Sequence, residues 1–166
     1  MSFKPAYSFI RRSALIGLLA LAGCGLTPVY GSGGSAGVLR NAVTFAAPDT
    51  VAGFRLRAQL ETRLGRVNVP QYALSVDLSQ TPRPATITPD GDTTRFNLAG
   101  TADWSLSDLG GTVLKTGSVQ TFTSYSATGS TVATQAAETD ASARLSVALA
   151  DLIVARLILA APDLPR

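Results

Sequence analysis

The sequence contains no histidine and a single cysteine among its 166 residues. Without histidine it lacks the commonest general base and metal ligand, and no serine–histidine or cysteine–histidine catalytic pair can form. The single cysteine, Cys24, has no partner within the chain for a disulfide. The sequence also has no glycine-rich phosphate loop leading from a strand into a helix. We therefore expect no catalytic residues, no metal ligands and no cofactor other than a covalent lipid on Cys24, argued next.

The segment before Cys24 has the pattern of an export signal. Residues 1–12 carry three basic side chains and no acidic one, and an uninterrupted apolar run, Ala14–Ala22, follows. This run is about half of the roughly 20 residues that a helix needs to cross a bilayer, so we expect no retained transmembrane anchor here. The motif Leu21-Ala22-Gly23-Cys24 fits the bacterial lipobox, in which the cysteine thiol accepts a diacylglyceryl group. We therefore predict a lipoprotein signal peptide over residues 1–23 and a lipidated Cys24.

The alternative is an ordinary signal peptide with an incidental cysteine. A lone thiol in an exported protein has no disulfide partner within the chain, which favours the lipid interpretation. The energetics of anchoring explain the use of the cysteine. One acyl chain gives only reversible membrane binding, whereas several chains on one residue hold a protein in the membrane permanently. Cys24 is thus interpreted as an attachment point.

The signal peptide also accounts for the excess of positive charge. The full chain has 14 basic and 11 acidic residues, a formal net charge of +3. Three of the basic residues precede Cys24, so the mature chain has 11 of each sign and a net charge of zero. A neutral chain lacks the electrostatic basis for general nucleic-acid binding, and we expect no nucleic-acid partner.

The mature chain divides into a short linker and one folded domain. Cys24 and a flexible Gly/Ser-rich linker occupy residues 24–37, and a single domain is predicted over residues 38–166. Its apolar periodicities predict the order strand, helix, strand, strand, strand, helix. The predicted segments are Leu39–Phe45, Thr50–Leu64 ending at Gly65, Tyr72–Ser79, Arg95–Leu106, Thr112–Ala127 and Thr134–Leu159. This order predicts an α+β two-layer sandwich with an approximately four-stranded sheet and two helices on one face.

The same periodicities predict the core. The sheet residues expected to face the helices are Leu74, Val76, Phe96, Leu98 and Trp104, and their helical partners are Leu56, Leu60, Leu145, Leu149 and Leu152. The last helix carries an apolar stripe at helical spacing: Ala141, Leu145, Ala148, Leu152, Ala155 and Leu159, widened by Leu149 and Ile153. We interpret this stripe as core packing. Gly100, on the apolar face of its strand, predicts a bulge or a close contact.

A proline-rich connection between the second and third strands is flanked by basic residues. It contains Asp90-Gly91-Asp92, which we interpret as a turn because the longer ligand series of a calcium loop is missing. Arg83 and Arg95 flank the connection, and Lys115 lies on the next strand. Arginine can hold phosphate or carboxylate in a forked geometry. These three residues are candidate contacts for an anionic ligand, and an ordinary solvated hairpin end is the alternative.

The first residues of the mature chain, Cys24 to Gly31 (CGLTPVYG), resemble the mature start of LptE-type lipopolysaccharide (LPS)-assembly lipoproteins of Gram-negative bacteria, with an alphaproteobacterial character. Their opening is Cys-Gly-aromatic-x-Pro-aliphatic-Tyr-Gly, from which Leu26 departs. The order of elements also resembles that family. Gly25 beside the cysteine, where Asp would signal retention, agrees with sorting to the outer membrane. Of the family's site residues, only Cys24 is carried over by this resemblance.

The resemblance implies a non-enzymatic outer-membrane lipoprotein that faces the periplasm. Such a protein plugs the β-barrel LPS translocon, helps it to assemble and assists LPS delivery to the cell surface. Its partners would be that barrel, LPS and, through the lipid, the membrane. Arg83, Arg95 and Lys115 would be the candidate LPS contacts. Two alternatives remain open at this point: an auxiliary lipoprotein of a lipid-transporting ABC system and, with less support, a periplasmic enzyme.

Overall fold

The computed structural model describes residues 36–87 and 93–165. The predicted signal peptide, Cys24, most of the predicted linker and the Asp90-Gly91-Asp92 turn lie outside the described residues. The elements, in chain order, are α1 (Ala36–Leu39), β1 (Val43–Ala46), α2 (Val51–Leu64), β2 (Tyr72–Ile87), β3 (Thr93–Asp108), β4 (Val113–Ser126) and α3 (Thr131–Ala160), followed by a 3-10 turn (Ala161–Asp163).

The four strands form one mixed sheet in the order β1-β2-β3-β4. The short β1 is parallel to β2, and α2 makes the crossover that two parallel strands require. The strands β2, β3 and β4 run antiparallel to their neighbours. The helices α2 and α3 pack against each other, and α3 lies on β3 and β4. The predicted α+β sandwich and its element order are confirmed.

The second helix forms where its sequence predicts it. The Thr50 side chain caps its first turn, accepting a hydrogen bond of 3.0 Å from the Gly53 N–H. Its buried leucines are Leu56, Leu60 and Leu64, at the predicted i, i+4 spacing. Gly65, with φ of +83°, ends the helix in a conformation that favours glycine.

The predicted first strand, Leu39–Phe45, is wrong in its first half. Leu39 ends the helical turn α1, and the strand begins only at Val43. Between them Asn41 adopts a positive φ of 57° and donates its N–H to the Leu64 carbonyl at 2.8 Å. Asparagine tolerates this left-handed conformation better than most residues. A contact with the distant end of α2 therefore overrides the local alternation.

The predicted connection after Ser79 is also wrong, because β2 continues through it to Ile87. Pro82 and Pro84 lie within the strand, opposite Leu98 and Phe96 of β3. Proline is tolerated here because β1 pairs only with Tyr72–Ser75, which leaves the rest of β2 as an edge. The long hairpin of β2 and β3 thus projects well beyond β1.

The last helix differs from its predicted packing. Leu145, Leu149, Ile153 and Leu157 are fully buried at successive i+4 positions. Leu152, predicted as core, is 40% exposed, and Leu159 is 73% exposed. The prediction failed because α3 is apolar on two sides, and periodicity alone does not show which side the sheet covers. Ala155 is also exposed, and Phe96 and Ala148 are half-buried, whereas the remaining predicted core residues are confirmed as buried.

The predicted close contact at Gly100 is confirmed. A Cβ atom at this position would lie 2.9 Å from both Leu145 Cδ2 and Leu149 Cδ1. Nearby, the Ser142 hydroxyl donates to Gln80 Oε1 at 2.6 Å, and Gln80 Nε2 donates to Ser146 Oγ at 3.1 Å. These bonds satisfy the polar groups that α3 buries against the sheet. The missing side chain and the polar network together set how closely α3 lies on β3.

Candidate functional site

The described part of the chain offers a surface for binding and no catalytic constellation. Within residues 36–87 and 93–165, no group of three or more acidic or cysteine side chains is placed to hold a metal ion. An open depression of about 440 Å³ lies at the start of α2, lined by residues that include Pro48, Phe54 and Arg55. Its charged lining residues are Asp49, Arg55 and Arg57, so it holds a single carboxylate and no second acid for acid–base chemistry. The candidate site is therefore sought among exposed charges, sheet edges and apolar stripes.

Arg83 and Arg95 come together at the distal end of the β2–β3 hairpin. Arg83 is paired with Asn97, and Arg95 lies two residues from Asn97 on the same face. In a regular ladder such diagonal neighbours lie about 7–8 Å apart, and here a register irregularity between Pro84 and Thr86 falls between the two positions. Both arginines are exposed on the sheet face opposite the helices, and neither forms an ion pair with another described residue. The pair is suited to an anionic group larger than a single carboxylate.

The third predicted basic residue, Lys115, lies elsewhere. It pairs in register with Leu106 at the opposite end of the sheet and lies on the helix side. Its Nζ is 3.3 Å from Asp163 Oδ2, an exposed ion pair that links β4 to the turn after α3. The three predicted contacts therefore do not form one patch.

An aromatic pair supports the distal hairpin from the helix side. The rings of Phe96 and Tyr125 stack with centroids 5.4 Å apart and planes inclined by 14°. Burial raises the pKa of the Tyr125 hydroxyl, and the nearby carboxylate of Glu138 raises that pKa further. Sequence reasoning missed Tyr125, because its meeting with Phe96 depends on the register of β3 and β4. Alternation within one strand does not give that register.

The helix α3 runs along β4, and three contacts fix their alignment. Thr123 Oγ1 donates to the Ala141 carbonyl at 3.1 Å, and Arg144 Nη2 donates to the Ser124 carbonyl at 3.4 Å. At the other end lies the Lys115–Asp163 ion pair. The side of α3 that begins at Ala141 therefore faces the β4 edge of the sheet.

The apolar stripe predicted on that side is real, but only its first half is covered. Ala141 and Leu145 are buried, whereas Leu152, Ala155 and Leu159, which we call the outer stripe, are exposed. With the turn after it, α3 is long and apolar enough by composition to cross a membrane, although part of that stretch is buried in the domain. Because α3 has a second apolar side, it exposes the outer stripe and also has a composition apolar enough to cross a membrane.

Comparison with known proteins identifies the family. Residues 41–157 match the family model described as LptE, lipopolysaccharide-assembly. The chain belongs to this family. No curated protein matches the chain by sequence. The LptE match confirms the predicted family, and the description of that family names lipopolysaccharide assembly.

Solved structures agree with the LptE assignment. A candidate lipoprotein from Caulobacter crescentus has a TM-score of 0.65 and 25% identity, covering 78% of this chain and 98% of its own. The rare lipoprotein B from Shewanella oneidensis has a TM-score of 0.59 at 11% identity, covering 74% and 97%. A minor lipoprotein from Acinetobacter baumannii has a TM-score of 0.54 at 19% identity, covering 72% and 91%. The last two similarities concern the fold alone.

Proposed function

We propose that this protein is a lipid-anchored outer-membrane lipoprotein that plugs the β-barrel lipopolysaccharide translocon. In this role it helps the barrel to assemble and assists LPS delivery to the cell surface. The observation that carries the proposal is the LptE family match over residues 41–157. The protein acts by binding, without catalysis and without a cofactor beyond the lipid on Cys24.

The outer face of the sheet supports a place within a barrel lumen. The side chains on this face are mostly small and polar: Ser75, Asp77, Ser79, Thr81, Asn97, Thr101, Asp103, Ser105, Ser118, Gln120 and Ser124. The lumen of a large outer-membrane barrel is itself polar and wet. A sheet face of this kind can lie against such a wall without burying unsatisfied charges in an apolar medium.

The distal arginines are the proposed contact for LPS. Arg83 and Arg95 are exposed on one face, and guanidinium groups bind phosphate and carboxylate in a forked geometry. Lys115 remains a separate, third candidate, although its ion pair with Asp163 reduces its availability.

Co-purification tests the proposal. The full-length lipoprotein, extracted from its native outer membrane, is expected to bring down a large β-barrel protein in fixed proportion. A matched variant, exported to the periplasm and starting after Cys24, should still bind when co-produced with the barrel. The lipid restricts the protein to the membrane and raises its effective concentration there, but it does not form the binding surface. Recovery of inner-membrane ABC transporter components instead of a barrel would contradict the proposal.

A further inference from the structure

The outer edge of β4 is an unpaired strand edge in the described part of the chain. β4 is the last strand of the sheet and pairs only with β3. Just after its end the Ala127 N–H bonds to the Thr94 carbonyl on β3. Every second residue counted back from Ala127 therefore also turns its main-chain groups towards β3. The alternate residues Ser118, Gln120 and Phe122 therefore present their N–H and C=O groups to the open side.

One contact confirms this direction and limits the open stretch. The Ser124 carbonyl, in the same alternation, is bonded by the Arg144 side chain, which reaches across from α3. The carbonyl at this position therefore already has a donor. We define the open edge of β4 as Thr116–Thr123, the stretch between that bond and the Lys115–Asp163 ion pair.

The part of β2 that extends beyond β1 also forms an edge of the sheet, and prolines interrupt this edge, unlike the open edge of β4. Along β2, Pro82 and Pro84 stand at alternate positions, so the N–H groups they lack belong to one edge. On β4, the main-chain groups of Thr123 and Tyr125 face β3, so those of their partners Leu98 and Phe96 face β4. Because Pro82 and Pro84 pair with Leu98 and Phe96, the nitrogens of both prolines lie on the side of β2 away from β3. Prolines and charges at strand edges prevent pairing with another chain. The open edge of β4 contains neither proline nor a charged residue.

An apolar surface lies beside this edge on the helix side. The outer stripe continues a row whose first members, Ala141 and Leu145, are buried at β4, but no described strand lies beyond β4 to cover Leu152 and Leu159. On β3, the buried Trp104 Nε1 has no hydrogen-bond acceptor among the described residues and lies over Gly117 of β4. A fifth strand beside β4 would pair with its open main-chain groups and would cover Leu152 and Leu159.

We propose that the open edge of β4 receives an extended strand from a different polypeptide. The added strand would lie about 4.8 Å from β4, pair with the main-chain groups of Ser118, Gln120 and Phe122, and cover Leu152 and Leu159 with apolar side chains at alternate positions. The inference rests on the proposed function for the identity of that polypeptide, the barrel. It adds the way in which the two proteins join.

The charges beside the outer stripe favour a different polypeptide over a second copy of this chain. Arg156 is exposed there and forms no ion pair with another described residue. A second copy joined through β4 would place its own β4 and the adjacent half of its α3 near Arg156. Neither offers a free carboxylate, because β4 has no acidic residue and the one acidic residue in that half of α3 is Asp151. Asp151 is already bonded to Gln59 and Arg63 on α2. The strand that complements Arg156 therefore carries its own carboxylate.

Hydrogen exchange of the complex tests the pairing directly. The full-length lipoprotein is measured alone in detergent and as the complex purified with its barrel. The amides of Ser118, Gln120 and Phe122 should exchange at least about tenfold more slowly in the complex, because each becomes a donor to the added strand. The intervening amides that already face β3, those of Val119 and Thr121, should change less. Unchanged exchange at the three open amides would overturn the inference.

A proline variant with a matched control provides a second test. Gln120→Pro removes one open-edge N–H, as Pro82 and Pro84 do on β2, and Gln120→Ala removes the side chain while keeping that N–H. Both isolated proteins should keep the wild-type circular dichroism. The proline variant should lose at least about tenfold in barrel affinity, which corresponds to about 1.4 kcal/mol, and the alanine variant should bind normally. Equal binding by both variants would contradict strand addition.

Cross-linking identifies the occupant. A benzophenone side chain at position 152 should join the full-length lipoprotein, in its native membrane, to an extended segment of the barrel. Adducts to a second copy or to residues 24–35 of the same chain would overturn the inference. A barrel that co-purifies without protection at β4 leaves the proposed function intact and defeats only this inference. Absence of any barrel from the wild-type preparation defeats the proposed function, whatever happens at β4.

Discussion

Trp104 of β3 lies over Gly117 of β4, and its indole occupies the space that a side chain at position 117 would need. A Cβ atom there would stand 2.6 Å from Trp104 Cζ2 and 2.8 Å from Cε2, closer than any relaxed contact. The two residues are direct partners in the register of the sheet. The only tryptophan of the chain is thus matched to a glycine on the neighbouring strand.

Gly117→Ala should therefore destabilise the domain by about 1–3 kcal/mol, because the indole or the strand must move. Ser118→Ala, on the exposed side of the same strand, is the control and should change stability by less than about 0.5 kcal/mol. Urea unfolding gives both values. If the clash with Trp104 is the cause, pairing Gly117→Ala with Trp104→Phe should cost less than the sum of the two single changes.

Leu149 and Leu152 provide a matched pair on α3. Leu149 is fully buried, and Leu152 is 40% exposed. Leu149→Ala should cost about 2–5 kcal/mol, whereas Leu152→Ala should cost less than about 1 kcal/mol in the isolated protein. Thermal or urea unfolding measures the difference. Similar losses at the two positions would mean that the outer stripe is covered within the isolated chain.

The raised pKa of Tyr125 predicts a loss of stability at high pH. Because the pKa in the folded protein lies above the ordinary value of 10.0, the folded state holds the phenolic proton more tightly than the unfolded state does. The resulting stabilisation is fully present below the unfolded-state pKa and is lost as the pH rises through the folded-state pKa. Tyr125→Phe should flatten this fall, and Glu138→Gln should reduce it. Unfolding titrations at alkaline pH measure it, and identical slopes for wild type and Tyr125→Phe would contradict the assignment.

Cys24→Ala should abolish lipid attachment and the cleavage that accompanies it. The variant is expected to remain as an unmodified precursor or to be processed at another position, because no thiol is left to accept a diacylglyceryl group. Mass spectrometry of protein from the native membrane provides the measurement. An unmodified Cys24 in the wild-type protein would refute the lipobox interpretation.

Replacing Arg83 and Arg95 together by alanine should weaken LPS binding at low salt while leaving the fold unchanged, since both side chains are exposed. The loss should shrink as salt rises, because ions screen exposed charges beyond about 10 Å at roughly 0.1 M. Lys115→Ala is the informative comparison, because its side chain lies at the other end of the sheet and is paired with Asp163. Unchanged LPS binding after loss of all three charges would defeat the basic contact.

The sequence predicted most of the fold because its strands and helices each bury one face. Leu56, Leu60 and Leu64 on α2 recur at helical spacing, and Leu74 and Val76 alternate on β2. These patterns respond to burial and are visible without the tertiary structure. The α+β order followed from them directly.

The errors arose where distant contacts or a second apolar face decide the outcome. The turn at Asn41 depends on a bond to Leu64, which no local pattern reveals. Alternation predicts a strand that ends at Ser79 and a proline-rich connection after it, but β1 is too short to cover Pro82 and Pro84, and prolines are tolerated on the resulting edge. On α3, Leu152 follows helical spacing as well as Leu149 does, so only the position of the sheet separates them.

The structure brings together two of the three predicted basic residues and not the third. Arg83 and Arg95 were expected near one hairpin end, and the register confirms that they are neighbours. Lys115 was expected with them because it lies on the next strand. The antiparallel turn at Gly110 and Gly111 instead starts β4 at the far end of the sheet. Proximity in sequence order does not imply proximity along the length of a hairpin.

The prolines on the edge of β2 act against open-ended assembly of the sheet. A sheet with two receptive edges can grow head to tail, each copy offering one edge to the next, until it forms an open filament. Here Pro82 and Pro84 interrupt the edge of β2 that extends beyond β1, so a copy joined through β4 presents a less receptive edge to the next copy. The edge prolines thereby disfavour growth of the sheet from one copy to the next.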